Sequence, residues 1–181
     1  MRIIAGRWRG RRLVAPAGET TRPTGERARQ ALFDMLWHAP WAGRARVEGA
    51  IVLDAFAGTG ALGLEALSRG ATHATFLEQD RAALAALRAN VAACGAEARV
   101  LAADATRPPR APHPCTLLFL DPPYGAGLVA PALAALDAAG WIAPGALVCA
   151  ELGPRDAPPG TRFAPLAERT HGLARLLVLA A

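Results

Sequence analysis

From residue 51 onward, short apolar runs alternate with stretches of helical periodicity, and that alternation restricts the chain to a parallel sheet crossed by helices. The runs are 51–54, 74–78, 99–103, 116–121 and 147–151. Between them the clearest helix is 81–94, where Leu84, Leu87, Val91 and Cys94 recur at helical spacing and Gly95 supplies a C-cap. Two further strands, 162–166 and 173–179, form a hairpin about a turn at His171-Gly172. The class expected is α/β, and 181 residues suffice for one core that needs no disulfide or metal staple. The proline-rich links 107–114 and 154–160 are too short to separate independent cores and are expected to be loops.

At 52% hydrophobic and 19% charged residues the chain is apolar enough to fold. No apolar run approaches the roughly 20 residues of a membrane span. The arginines at the start are not followed by the apolar stretch of a secretory signal, so the expected compartment is the cytoplasm. Cys94, Cys115 and Cys149 are far apart and the four histidines lack ligand spacing, so core cysteines and no metal are expected.

The net charge of +5 is concentrated at one end. Residues 1–29 carry eight arginines, Arg2, Arg7, Arg9, Arg11, Arg12, Arg22, Arg27 and Arg29, against Glu19 and Glu26. Every basic residue is arginine, whose planar fork grips phosphate and stacks on bases. Residues 2–14, split by Gly6 and Gly10, read as a basic hairpin or arm in which Trp8 can stack on a base. We therefore divide the chain into an arm, 1–21, and a body, 22–181. Thr24 caps a helix whose apolar residues Ala28, Leu32, Met35 and Leu36 face the core, ending near Trp37. Its other face, with Arg27, Arg29 and Gln30, is expected to continue the basic patch onto the body. The competing reading of the arm is a solvated face with no partner.

Ligands of open α/β sheets bind beyond the carboxyl ends of the strands, and here those ends are acidic. The first run closes on Asp54, then Phe56, Gly58, Thr59, Gly60 and Gly63. Gly58-x-Gly60-x-x-Gly63, with Glu78 closing the next run, also fits a dinucleotide fingerprint. Asp54 separates the two readings. It would repel a pyrophosphate but attract the ammonium and sulfonium of S-adenosylmethionine. Glu78 is then placed for the ribose hydroxyls and Asp104 for the adenine amine. Each has a structural alternative as well, Asp54 as a helix cap and Glu78 as a solvated carboxylate.

The fourth run ends Asp121-Pro122-Pro123-Tyr124. Two prolines fix φ and remove two N–H donors, leaving a rigid turn that offers only acceptors. A planar NH2 group fits there. Asp121 and the Pro122 carbonyl hold its hydrogens, Tyr124 stacks on the ring, and the lone pair is aimed at the methyl in line with the departing sulfur. No metal, covalent intermediate or strong base is required. The residues alone leave adenine N6, cytosine N4, guanine N2 and a glutamine amide open, although the arm disfavours glutamine. Asp121 can also accept from guanine N1–H, which adenine and cytosine lack.

The beginning narrows the choice. Arg2-Ile3-Ile4-Ala5-Gly6-Arg7-Trp8-Arg9-Gly10-Arg11-Arg12-Leu13, Arg22-Pro23-Thr24 before a helix, the stretch from Leu53 to Gly70, and Phe119-Leu120-Asp121-Pro122-Pro123-Tyr124 together resemble the RsmD family of bacterial 16S ribosomal RNA guanine-N2 methyltransferases. The resemblance implies a Rossmann-like class I methyltransferase fold, a seven-stranded, mostly parallel sheet with a C-terminal antiparallel hairpin and helices on both faces. It implies S-adenosylmethionine as cofactor and, as acceptor, guanine 966 of the 16S ribosomal RNA, in a small ribosomal subunit or assembly intermediate, with the enzyme acting as a monomer. Carried onto this sequence, the cofactor set is Asp54, Phe56, Gly58, Thr59, Gly60, Glu78, Gln79, Asp104 and Ala105. The transfer set is Asp121, Pro122, Pro123 and Tyr124, and the RNA set is Arg2, Arg7, Trp8, Arg9, Arg11, Arg12, Arg22, Thr24 and Arg27. The rival readings are an adenine-N6 methyltransferase of DNA or RNA, more remotely a nicotinamide-dependent oxidoreductase, and a non-catalytic RNA-binding module, which would not need the acidic strand tips or Tyr124.

Overall fold

A computed structural model describes residues 1–16, 23–123, 125–172 and 174–181. Their strands β1 (Ile51–Asp54), β2 (His73–Glu78), β3 (Ala98–Ala102), β4 (Cys115–Leu120), β5 (Ile142–Leu152), β6 (Ala164–His171) and β7 (Ala174–Ala180) form one sheet in the order β3-β2-β1-β4-β5-β7-β6. The pairings from β3 through β5 are parallel and the last two are antiparallel. This is the Rossmann-like arrangement expected.

The central strands carry apolar residues on both faces because helices cover both. Leu32, Phe33 and Leu36 of α1 (Pro23–His38), Leu64 and Leu67 of α2 (Ala61–Ser68) and Leu87 of α3 (Arg81–Cys94) bury against Val52, Leu117 and Phe119. On the opposite face Val129, Leu133 and Leu136 of α4 (Val129–Ala138) pack on Leu118, Leu120 and Val148. The alternation along β4 thus divides its side chains between two cores. Helix α3 begins at Asp80, whose carboxylate accepts from the Ala83 N–H at 2.8 Å, and ends at Gly95 in the left-handed region.

Three elements differ from the sequence expectation. Strand β6 runs from 164 to 171 instead of 162 to 166, since Glu168, Arg169 and Thr170 lie on an exposed sheet edge where no apolar pattern is needed. Strand β5 starts five residues early, at Ile142, which pairs with Cys115 before a register shift that accommodates Pro144-Gly145. Arg29, expected on the exposed face of α1, is only 5% exposed and faces inward.

Arg29 turns inward because of Glu65. This glutamate is fully buried in α2, 2.7 Å from Arg69 Nε and 3.6 Å from Arg29 Nε. The Arg69 guanidinium lies over Phe33 and Trp37 of α1, 4.7 and 5.0 Å from their ring centres. The two carboxylate oxygens also accept from the backbone N–H groups of Ile4, at 2.8 Å, and Ala5, at 3.0 Å. One carboxylate therefore joins α2, α1 and the N-terminal segment.

That segment is a docked hairpin, with Arg2 and Arg12 bridged antiparallel and Ile3 and Leu13 inside the same core as α1. The Arg7 N–H donates to the Ser68 carbonyl at 2.8 Å, and the Trp8 N–H to the Ser68 hydroxyl at 3.0 Å. Gly6 sits directly on that turn at φ +78°, and a Cβ there would lie 1.8 Å from the Ser68 oxygen. Only glycine fits. Replacing Glu65 by alanine leaves Arg29 and Arg69 buried without a counter-charge and strips two backbone donors of their acceptor. We expect Glu65→Ala to lose about 3–5 kcal/mol, read from urea unfolding, whereas removal of a single exposed pair such as Arg44–Glu48 costs under about 1 kcal/mol.

Candidate active site

The acidic ends of β1, β4 and β5 meet because of strand register. Asp54 lies opposite Phe119, Phe119 opposite Cys149, and Leu120 opposite Ala150, so Asp121 and Glu151 follow as neighbours at the tips of adjacent strands. With Phe56, Gly58 and Thr59 of the loop after β1, and Ala28, Arg29 and Leu32 of α1, they line a cavity of about 290 Å3.

Asp54 is 1% exposed. Its Oδ2 accepts from the Gly63 N–H at 3.0 Å, in the first turn of α2, so its role as a helix cap is real. Its Oδ1 is buried and has no hydrogen-bond partner among the described residues. Burial pushes the carboxyl up to about 7; the Gly63 N–H opposes that shift and the Glu78 charge adds to it. A buried carboxylate oxygen without a donor is costly unless a ligand supplies one.

Asp121 lines the cavity and is exposed. Desolvation by the protein packed around the cavity, reinforced by the Glu151 and Asp54 charges, raises its carboxyl above the ordinary carboxylate range. Pro122 is buried and Pro123 exposed. Tyr124 lies outside the described residues.

The remaining cofactor candidates cluster at the neighbouring tips. Glu78 accepts from the N–H groups of Gly58, Gln79 and Asp80, each at 2.8 Å, which uses three of its roughly four lone-pair positions. Gln79 is exposed beside it. Asp104 accepts at Oδ1 from both the N–H and the hydroxyl of Thr106, and these bonds lower its pKa. Ala105 is buried behind it. Gly60 belongs to the packing more than to the ligand surface: it has φ +79°, and a Cβ there would meet Leu87 Cδ1 at 2.5 Å.

Known proteins share both the hairpin and the body. A family model described as "Conserved hypothetical protein 95" matches residues 1–178. The chain is 43% identical to the Escherichia coli K12 protein named ribosomal RNA small subunit methyltransferase D, over 83% of this chain and 74% of that one. It is 39% identical to the Haemophilus influenzae protein of the same name, over 83% of this chain and 78% of that one. The solved structure of Escherichia coli yhhF superposes with a TM-score of 0.85 at 36% identity, covering 99% of this chain and 97% of that one. The chain belongs to the RsmD family.

In this RsmD-family chain the arginine-rich surface is the docked hairpin. Arg2, Arg7, Arg9, Arg11, Arg12 and Arg27 are all exposed. Arg2 is 3.7 Å from Glu26, Arg11 donates to the Ala93 carbonyl, and Arg7 lies 4.1 Å over the half-buried Trp8 ring. Arg9 and Arg12 have no side-chain partner among the described residues. Arg22 lies outside them, and Thr24, expected as the cap of α1, falls instead inside its first turn because the helix already begins at Pro23.

Two residues of the site were not singled out from the sequence. Glu151 closes an apolar run just as Asp54 does, and that was its signal. Asn90 interrupts the apolar spacing of α3; its amide donates to the carbonyls of Val14 and Thr59, both at 2.9 Å, and accepts from the Val14 N–H at 2.8 Å. It ties the hairpin to the glycine loop.

The raised Asp54 pKa has a stability consequence. An unfolded aspartate titrates near 3.9 and the folded one near 7, so the folded state binds more protons in between and loses stability as pH rises across that window. Asparagine keeps an acceptor for Gly63 and cannot ionise. The melting temperature of Asp54→Asn should therefore gain on the parent as pH rises from about 4 to 7, as scanning calorimetry across that range would record.

Proposed function

We propose that this protein transfers a methyl group from S-adenosylmethionine to the exocyclic N2 amine of a guanine in 16S ribosomal RNA, guanine 966 by family resemblance. The observation that carries this reading is the meeting, in one cavity, of Asp54, whose Oδ1 has no partner among the described residues, with Asp121, the first residue of the Asp-Pro-Pro turn. The names of the RsmD relatives supply the small-subunit RNA as substrate class.

The donor set suits the cofactor. Asp54 Oδ1 would take its ammonium, Gly58 and Thr59 would border its chain, Glu78 would receive a ribose hydroxyl, and Asp104 would accept from the adenine amine. When bound, S-adenosylmethionine supplies an electrophilic methyl on a cationic sulfur. The residues of this chain do the positioning. Asp121 and the Pro122 carbonyl would each accept an N–H of the amine, leaving its lone pair free for the methyl, and Tyr124, which lies outside the described residues, would stack on the base. Such alignment is worth several kcal/mol of barrier. The raised pKa of Asp121 works against its acceptor role, and a cation together with two N–H donors in the cavity oppose that rise. The methylated amine gives up its extra proton to water or Asp121.

Guanine N2 lies in the shallow groove of a paired stem, so the base must be unpaired or turned out to enter the cavity. The hairpin arginines hold the flanking phosphates.

Incubation with labelled S-adenosylmethionine and small ribosomal subunits or their extracted RNA from a strain lacking the enzyme should yield N2-methylguanosine. N6-methyladenosine would overturn the acceptor. Asp121→Ala should slow transfer by about 100-fold or more while leaving cofactor affinity within about twofold. Reversing Arg9 and Arg12 to glutamate should weaken RNA binding and flatten its log-log salt dependence by about one unit for each phosphate no longer neutralised; an unchanged slope would remove the hairpin from the RNA interface.

A further inference from the structure

The cavity holds one carboxylate more than methyl transfer requires. Asp54 faces the cofactor side and Asp121 faces the amine, but Glu151, one strand further along, lines the same cavity. The register pair Leu120–Ala150 brings Asp121, the first residue past β4, beside Glu151 of the adjacent parallel strand, where neighbouring strands lie about 4.8 Å apart. Both project to the face covered by α1, as do Cys149 and Leu176, which also line the cavity. Glu151 is half-buried, and its charge is felt at Asp121.

Guanine presents two adjacent donors, the N1–H and the N2 amine, beside the O6 acceptor. Adenine and cytosine have no ring N–H on that edge. Two neighbouring carboxylates at strand spacing match two neighbouring donors. With Asp121 and the Pro122 carbonyl occupied by the amine, N1–H is left for the next strand. We infer that Glu151 is the base-reading residue, its carboxylate accepting N1–H of the guanine whose amine Asp121 holds. This rests on the reading of the site as a guanine-N2 methyltransferase and adds the source of its preference for guanine.

A carboxylate that loses its donor to an analogue is left desolvated, so discrimination should be visible in binding. The test uses a small-subunit RNA hairpin whose target nucleotide is inosine, which has N1–H but no amine, or nebularine, which has neither N1–H nor O6. Affinities are measured with S-adenosylhomocysteine present, for the parent and for Glu151→Leu, which has no acceptor. The parent should bind the inosine RNA about tenfold more tightly or better, and in Glu151→Leu that preference should shrink towards one. Unchanged melting temperature and S-adenosylhomocysteine affinity would show that the variant is folded; if it is not, Glu151→Ala replaces it.

No preference in the parent overturns the inference, and so does a preference that Glu151→Leu retains in full. An equal loss for both RNAs would make Glu151 a structural residue. The underlying reading fails separately, if the parent produces no N2-methylguanosine from the unmodified RNA.

Discussion

The buried carboxylate of Glu65 is the contact on which the architecture of the functional end depends. A charge at zero exposure is tolerable only when surrounded by donors, and Glu65 has them from Arg29, Arg69, Ile4 and Ala5. These donors come from three parts of the functional end. Arg29 belongs to the helix that roofs the cavity, Arg69 ends the helix that follows the glycine loop, and Ile4 and Ala5 belong to the basic hairpin. A hydrophobic contact of similar strength would be indifferent to small sliding between these parts. A carboxylate with three directed hydrogen bonds, from Ile4, Ala5 and Arg69, and an ion pair to Arg29 fixes their relative positions, and the cavity is bounded by what it fixes.

The cavity itself collects unfavourable charge. Asp54 is raised by its burial, against the Gly63 N–H and with the Glu78 charge, and Asp121, exposed at the same cavity, is raised by the desolvating protein beside it and by the Glu151 and Asp54 charges. Such a cluster opposes folding, and its persistence is intelligible only for a site that receives cations and N–H donors. The helix-capping bond from Gly63 holds Asp54 in place through one oxygen and leaves the other to face the ligand. One side chain thus serves both the fold and the site, and its structural and functional readings are not in competition.

The sheet was legible because its central strands are apolar on both faces, and every strand tip that matters ends in an acid. The Asp-Pro-Pro-Tyr turn was legible because no ordinary turn needs two prolines after an aspartate. The edge was not. Strand β6 carries Glu168, Arg169 and Thr170, which match the composition of a loop, and its pairing is set by β7. Arg29 was misplaced because helical periodicity gives the face of a residue and cannot reveal a counter-charge elsewhere in the sequence; Glu65 is 36 residues away and looked like one polar position in an apolar helix. Glu151 was visible as an acidic strand end, but its place beside Asp121 depends on which strands are neighbours, and that is a property of the sheet order.

The docking of the hairpin also constrains the order in which this molecule can be assembled. Its bonds reach forward along the chain, 61 residues from Ile4 to Glu65 and 76 from Val14 to Asn90. Contacts of that separation repay the entropy of closing the intervening loop only after α2 and α3 exist to receive them. The most basic segment of the chain is thus held by contacts distant in sequence, and its exposed arginines are set on the surface by a body that includes α2, α3 and the glycine loop.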